Sequence, residues 1–199
     1  GVDGLDVAIA AAGAVLHYLE ATEHRETHHI ASLSRMDEET YVWLDKFTIR
    51  NLELISSQHE GGVPLLQVLD QTATPMGSRQ LRKWMVLPLK DLQAIEERLT
   101  IVETFFGDRD TADKIASYFH QVADLERLIS KVAVGRINPR ELLQLKRSLL
   151  VIQPVREFLL RSNTPELKKL ADQLNACDFL LQKIERELKE DAPMLVHQG

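Results

Sequence analysis

Cys177 is the only cysteine in these 199 residues, so no intramolecular disulfide can form, and the common cysteine-rich metal sites lack ligands. A reduced, cytoplasmic setting is the expectation. Long apolar runs are missing as well. The longest, residues 7–16, falls well short of the ~20 residues a membrane-spanning helix needs, and it follows Asp3 and Asp6 rather than the Lys or Arg of a signal peptide. No membrane partner is expected. Positive charge is the minority sign, with 24 Lys and Arg against 30 Asp and Glu and a net charge of -6, so no overall field draws the chain onto phosphate backbones. Aromatic side chains make up only 6% of the sequence, which leaves few stacking platforms for bases. No Gly-x-x-x-x-Gly-Lys-Ser/Thr loop and no Gly-x-Ser-x-Gly elbow occurs, so phosphate cradling and serine nucleophile chemistry have no local support.

What remains is a pattern of capped, amphipathic helices. With 44% hydrophobic residues the chain can fill one substantial core. Residues 5–22 place Leu5, Ile9, Ala12, Leu16 and Leu19 on one face, and Ala10-Ala11-Ala12-Gly13-Ala14 leaves room for another backbone to approach. A chain that opens inside such a helix, and closes on the apolar Met194-Leu195-Val196, is expected to be a piece of a longer polypeptide. Residues 23–36 are polar and aperiodic. Residues 39–45, with Tyr41, Val42 and Trp43, carry the β-branched and aromatic content of a short strand. A short helix is expected near residues 47–55, before Gly61-Gly62-Val63-Pro64 interrupts the chain.

Beyond that loop the signals are helical. Thr74-Pro75 and Asn138-Pro139-Arg140-Glu141 each set a capping side chain before a proline at the first helical position, and Glu141 completes a capping box. Thr164-Pro165-Glu166 reads as another start. The spacing of Leu92, Ile95, Leu99, Val102 and Phe106 predicts a packed face on a helix that begins at Asp91. Ile115, Phe119, Val122, Leu125, Ile129 and Val132 predict another, which Gly135 terminates in a left-handed conformation. Leu142, Leu145, Leu149, Ile152 and Leu159 form the stripe of a long helix that Pro154 should bend or break. The fold class is therefore mainly α, a multi-helix domain of long antiparallel helices with a short strand region near residues 39–45.

Candidate sites are few. His24, His28 and His29 lie close enough, with Glu20, to suggest zinc, although zinc sites show a tighter ligand pattern and a solvated polar linker explains them better. The carboxylate pairs Asp124 with Glu126, Glu96 with Glu97 and Glu185 with Glu187 fit the wet faces of helices better than acid–base catalysis. Arg79, Arg82 and Lys83 form one basic cluster. Arg127, Lys131, Arg136, Arg140, Lys146 and Arg147 form a longer, intermittent one. Arg79, Arg82, Lys83, Arg136 and Arg140 are the candidates for phosphate contact. No catalytic, cofactor-binding or metal residue is assigned.

A family resemblance rests on three blocks: Asn51-Leu52-Glu53-Leu54, then Leu65-Leu66-Gln67-Val68-Leu69-Asp70-Gln71-Thr72, then Thr74-Pro75-Met76-Gly77-Ser78-Arg79. It continues through Leu81-Arg82-Lys83-Trp84, Asp124-Leu125-Glu126-Arg127 and Gly135-Arg136, up to Asn138-Pro139-Arg140-Glu141-Leu142. In order and spacing these blocks resemble the core domain of MutS mismatch repair proteins. The resemblance implies a helix over residues 1–29 leading from a connector domain, and the first segment of the core or lever-base domain over residues 30–199. It implies a parent that recognises mismatched double-stranded DNA, binds ATP and magnesium in another domain, works as a homodimer and meets a MutL-type partner. The mismatch-binding, clamp and ATPase domains have no counterpart in these residues. Other readings are a relative serving recombination, a helical protein-interaction domain, or a helical metal-dependent enzyme with ligands on facing helices.

Overall fold

The computed structural model describes residues 2–22, 27, 30–34 and 40–193. His24, His28, His29, Glu39 and the Met194-Leu195-Val196 segment lie outside these. Eleven helices are found among the described residues, and the expected mainly α architecture holds. Helix α1 covers Asp6–Ala21, and none of its residues is buried. Among the described residues, the extended stretch predicted around residue 41 makes only one antiparallel bridge, Tyr41 with Leu89. The Val42 amide donates to the Pro88 carbonyl at 2.8 Å and the Lys90 amide to the Thr40 carbonyl at 3.2 Å. Pro88 has no amide hydrogen to return a bond, which limits the pairing on this edge.

Helix α2 (Lys46–Asn51) starts at Asp45, whose carboxylate accepts from the Thr48 amide. The loop that follows is tied back to α3 (Leu65–Leu69): the Leu65 amide donates to the Glu53 carbonyl at 3.0 Å and the Leu66 amide to the Leu54 carbonyl at 2.9 Å. Helix α4 (Pro75–Val86) begins at Thr74, whose hydroxyl accepts from the Gly77 amide. Helix α5 (Leu92–Gly107) begins at Asp91 in the same manner.

The core sits farther along. Every fully buried hydrophobic side chain among the described residues lies at position 115 or beyond. One cluster joins Ile115 of α6 (Arg109–Phe119), Val155 and Leu159 of α9 (Ile152–Leu160), and Leu167 and Ala171 of α10 (Pro165–Gln173), with Val151 between α8 and α9. Ile101 and Phe105 of α5 pack against it. A second joins Leu128 of α7 (Leu125–Ala133) to Leu145 and Leu149 of α8 (Pro139–Leu150), with Leu181 of α11 (Asp178–Glu187) against it.

Three sequence expectations need correction. The stripe from Ile115 to Val132 does not run along one rod, because α6 ends at Phe119 and α7 begins afresh with Asp124 as its cap. The restart changes the buried face, so Leu128 is buried while Ile129 and Val132 are exposed. Leu92, Leu99, Val102 and Phe106 face outward, and Ile101 and Phe105 face the core instead. Thr164 occupies the cap position of α10 but its side chain makes no capping bond. Its hydroxyl lies 3.0 Å from that of Thr104 on α5.

The Pro154 expectation is met with a shift in place. The helix is interrupted at Val151. Proline at 154 cannot donate to the Leu150 carbonyl, and its ring crowds that oxygen, so the interruption falls N-terminal to the proline itself.

Candidate nucleic-acid interface

The motif blocks resolve into a network of local carboxylate bonds. Asp70 ends α3, and its carboxylate accepts from the Ser78 hydroxyl on α4, from the Thr72 hydroxyl at 2.7 Å and from the Thr72 amide at 3.1 Å. These bonds, the Ser78 one foremost, hold the Asp70 carboxyl below its ordinary range. Gly77 sits inside this knot. A Cβ there would lie 3.1 Å from the Thr74 hydroxyl and 3.2 Å from Thr72 Cβ. Glu53, at φ +49°, turns its carboxylate onto the Gln58 amide at 2.7 Å and so closes the loop after α2. Sequence reasoning places Glu53, Asp70 and Ser78 among the motif residues without assigning them a role. A carboxylate two residues before a threonine is an Asx-turn signal that identifies Asp70.

Arg79 leaves this knot for α7. Its Nη1 and Nη2 donate to the two carboxylate oxygens of Asp124 at 2.9 and 2.7 Å, and its Nε donates to Glu126 at 2.8 Å. Asp124 first, then Glu126, raises the Arg79 pKa, and the reciprocal hydrogen bonds lower that of Asp124. A fork-to-fork pair of this kind fixes orientation as well as charge. Arg82 and Lys83 stand exposed on the same helix. Next to Lys83, Trp84 carries the Arg98 guanidinium of α5 at 4.0 Å from its ring centroid.

The second basic cluster is divided among several tasks. Gly135, at φ +64°, ends α7 with its own amide on the Val132 carbonyl at 3.0 Å and the Arg136 amide on Lys131 at 2.8 Å. This is a Schellman cap, and it explains why the Gly135-Arg136 pair precedes Asn138 so closely. Asn138 then caps α8, and the capping box is complete: the Glu141 amide donates to the Asn138 side chain at 3.0 Å, and the Asn138 amide returns to Glu141 at 3.1 Å. Lys131 pairs with the same Glu141 carboxylate and, ahead of the Asn138 bond, holds it below its ordinary range. Lys146 is buried on α8 and reaches Glu185 of α11 at 3.3 Å. Arg140 is exposed, with its Nε 3.4 Å from the Ala192 carbonyl, and Arg136 and Arg147 are exposed too. Of the five candidates for phosphate contact, Arg79 is thus committed to carboxylates, while Arg82, Lys83, Arg136 and Arg140 present their charge to solvent.

Among the described residues no group of three or more His, Cys, Asp or Glu is arranged to hold a metal ion. No helix there is long and apolar enough to cross a membrane.

Comparison with known proteins agrees with this geometry. A family model described as MutS domain III matches residues 47–199, which takes in every helix from α2's Phe47 onward. The chain belongs to the MutS family. It is 50% identical over all 199 residues to the DNA mismatch repair protein MutS of Cytophaga hutchinsonii, 48% to that of Bacteroides fragilis and 47% to that of Parabacteroides distasonis. It spans 23% of the length of each. Within the MutS family, then, the matched region is the helical domain III, and the motif residues Asp70, Gly77, Arg79, Asp124 and Asn138 serve its internal architecture.

Proposed function

We propose that this chain is the structural and signal-relay core of a MutS-type protein that recognises mismatched double-stranded DNA and initiates ATP-dependent repair in the cytoplasm. Residues 1–29 lead in from a connector, and residues 30–199 form the first segment of the core. The match to MutS domain III over residues 47–199 carries this reading. The packing supports it. Helices α6, α9 and α10 share one apolar cluster, and α7 and α8 share a second against which Ile152 of α9 packs, so a displacement at one end of this body reaches the other without being absorbed by loops. Rigid transmission of that kind would link an ATPase to a DNA clamp.

ATP and magnesium belong to the parent on this reading. No phosphate loop occurs in these 199 residues, and no step of nucleotide chemistry is assigned to them. Homodimer formation and a MutL-type partner are likewise proposed for the parent.

The test is substitution inside the relay. Leu145 is buried in the α7–α8 cluster, and Leu145→Ala in the full-length protein is expected to weaken the coupling between ATP binding and release of mismatched DNA. Coupling that stays intact despite measurable destabilisation would overturn the relay. The 199-residue chain alone should hydrolyse no ATP and bind duplex weakly, with no preference for a mismatch. A clear mismatch preference would move recognition into this domain.

A further inference from the structure

At one end of the helical body, the close of α5, the start of α6, the close of α9 and the start of α10 enclose a cleft of about 450 Å³. A volume of that order suits a small organic ligand. Its apolar lining is Phe158, Leu159 and Leu167, the last two buried. Its charged lining is unbalanced. Lys114 and Arg161 both border the cleft, are exposed, and pair with no carboxylate among the described residues. The Lys114 ammonium lies instead 5.3 Å from the Phe158 ring centroid, which steadies it at the cleft wall. Asp108 is the one acid of the lining, and both its oxygens serve α6: Oδ1 accepts from the Thr111 amide at 3.0 Å and Oδ2 from the Thr111 hydroxyl at 2.6 Å. The polar groups divide by what they have left to give. Thr104 donates its proton to the Thr100 carbonyl at 2.8 Å, so Thr164 is the donor in the 3.0 Å contact between the two threonines, and neither keeps a proton for a ligand. Ser162 accepts from the Thr164 amide at 3.1 Å and keeps its own proton. Asn163 beside it borders the cleft with no hydrogen-bond partner among the described residues.

We propose that this cleft binds a small phosphate ester with a hydroxylated remainder, of the size of a pentose phosphate. Arg161 and Lys114 supply the planar fork and the point charge that a phosphate dianion takes up, with no free carboxylate beside them to compete. Ser162 and Asn163 offer donors and an acceptor at hydrogen-bonding range of one another's neighbours on the same turn, the complement of hydroxyl groups that both donate and accept. An apolar remainder would leave those groups unpaired and lose affinity for it. Occupancy would draw together α6 and the α9–α10 turn, which supply the two cations.

Isothermal titration calorimetry of the 199-residue chain with ribose 5-phosphate, with ribose and with inorganic phosphate tests this. Ribose 5-phosphate should bind more tightly than either of its parts. Lys114→Ala with Arg161→Ala should weaken it by roughly tenfold or more, the worth of a hydrogen bond to a charged group. Asn163→Ala should weaken ribose 5-phosphate and leave inorganic phosphate unchanged. Arg147→Ala, which removes an exposed arginine outside the cleft, should change neither. No binding at millimolar ribose 5-phosphate, or a loss as large for Arg147→Ala as for the double variant, would overturn the site. Inorganic phosphate bound as tightly as ribose 5-phosphate would overturn the hydroxylated ligand. Thermal melting of each variant by circular dichroism, without ligand, separates loss of the site from loss of fold.

Discussion

The Arg79 guanidinium and the Asp124 carboxylate meet edge to edge through two hydrogen bonds of 2.9 and 2.7 Å, across 45 residues of sequence. Asp124 also caps α7 through the Arg127 amide at 3.2 Å. One carboxylate therefore starts a helix and fastens it to α4. Arg79 also holds Glu126 of α7, so in a Glu126→Ala background Arg79→Ala removes only the fastening, Asp124→Ala removes both, and thermal unfolding should drop further for Asp124→Ala. Arg79 is about half exposed, so its own effect should be modest and should shrink in high salt. Equal losses for the two variants would show that the cap contributes nothing.

Acid should act on the same network. Asp70, Asp124 and Glu141 all have lowered pKa values, caused first by Ser78, Arg79 and Lys131 respectively. A carboxyl with a depressed folded pKa stabilises the native state above its unfolded pKa and loses that contribution as pH falls through the folded value. Urea midpoints should thus be flat near neutrality and decline below about pH 4, where unfolded carboxylates begin to take up protons. Asp70→Asn and Asp124→Asn should each flatten the decline, and an unchanged slope in both would remove these carboxyls from the acid response.

Among the described residues, Ser148 is the one fully buried polar side chain that joins two elements. It is 0% exposed, donates to the Gln144 carbonyl at 2.9 Å and accepts from the Ala123 amide at 2.9 Å in the turn before α7. Ser148→Ala strands that amide and should cost about 1–3 kcal/mol. Leu167→Ala, at the centre of the larger cluster, should cost about 2–5 kcal/mol through the cavity it leaves. Urea titration checks both. A Ser148→Ala variant as stable as the parent would mean that water satisfies Ala123.

Helix starts are legible in the sequence because caps are local: Thr74, Asp91 and Asn138 each satisfy an amide three residues on, and nothing distant alters that. Burial is not legible to the same degree. Leu92, Leu99, Val102 and Phe106 of α5 read as a core stripe, and only tertiary packing decides that Ile101 and Phe105 meet the core instead. Likewise periodicity picks Ile129 rather than Leu128 for burial, because it carries the stripe across the turn at residues 120–124, where the helix restarts in a new phase. Among the candidate contacts, Arg79 cannot be separated from Arg82 and Lys83 by sequence. Its partners lie 45 and 47 residues away, and carboxylates at that distance carry no local signature.

That separation has a measurable consequence for DNA. A cation already shared between two carboxylates releases few counterions when a phosphate approaches, whereas solvent-exposed cations release theirs. If the weak duplex binding proposed for this chain runs through α4, Arg82→Ala with Lys83→Ala should reduce the slope of log affinity against log salt by about 2, at roughly 0.9 for each phosphate that is no longer neutralised. Arg79→Ala should leave that slope nearly unchanged while loosening α4 from α7. Arg136→Ala with Arg140→Ala applies the same measure to the α7–α8 junction. Fluorescence anisotropy of a labelled duplex over a series of salt concentrations reads all three. A slope that falls for Arg79→Ala and not for Arg82→Ala with Lys83→Ala would show that the carboxylate clamp opens in favour of DNA, reversing the assignment of these cations.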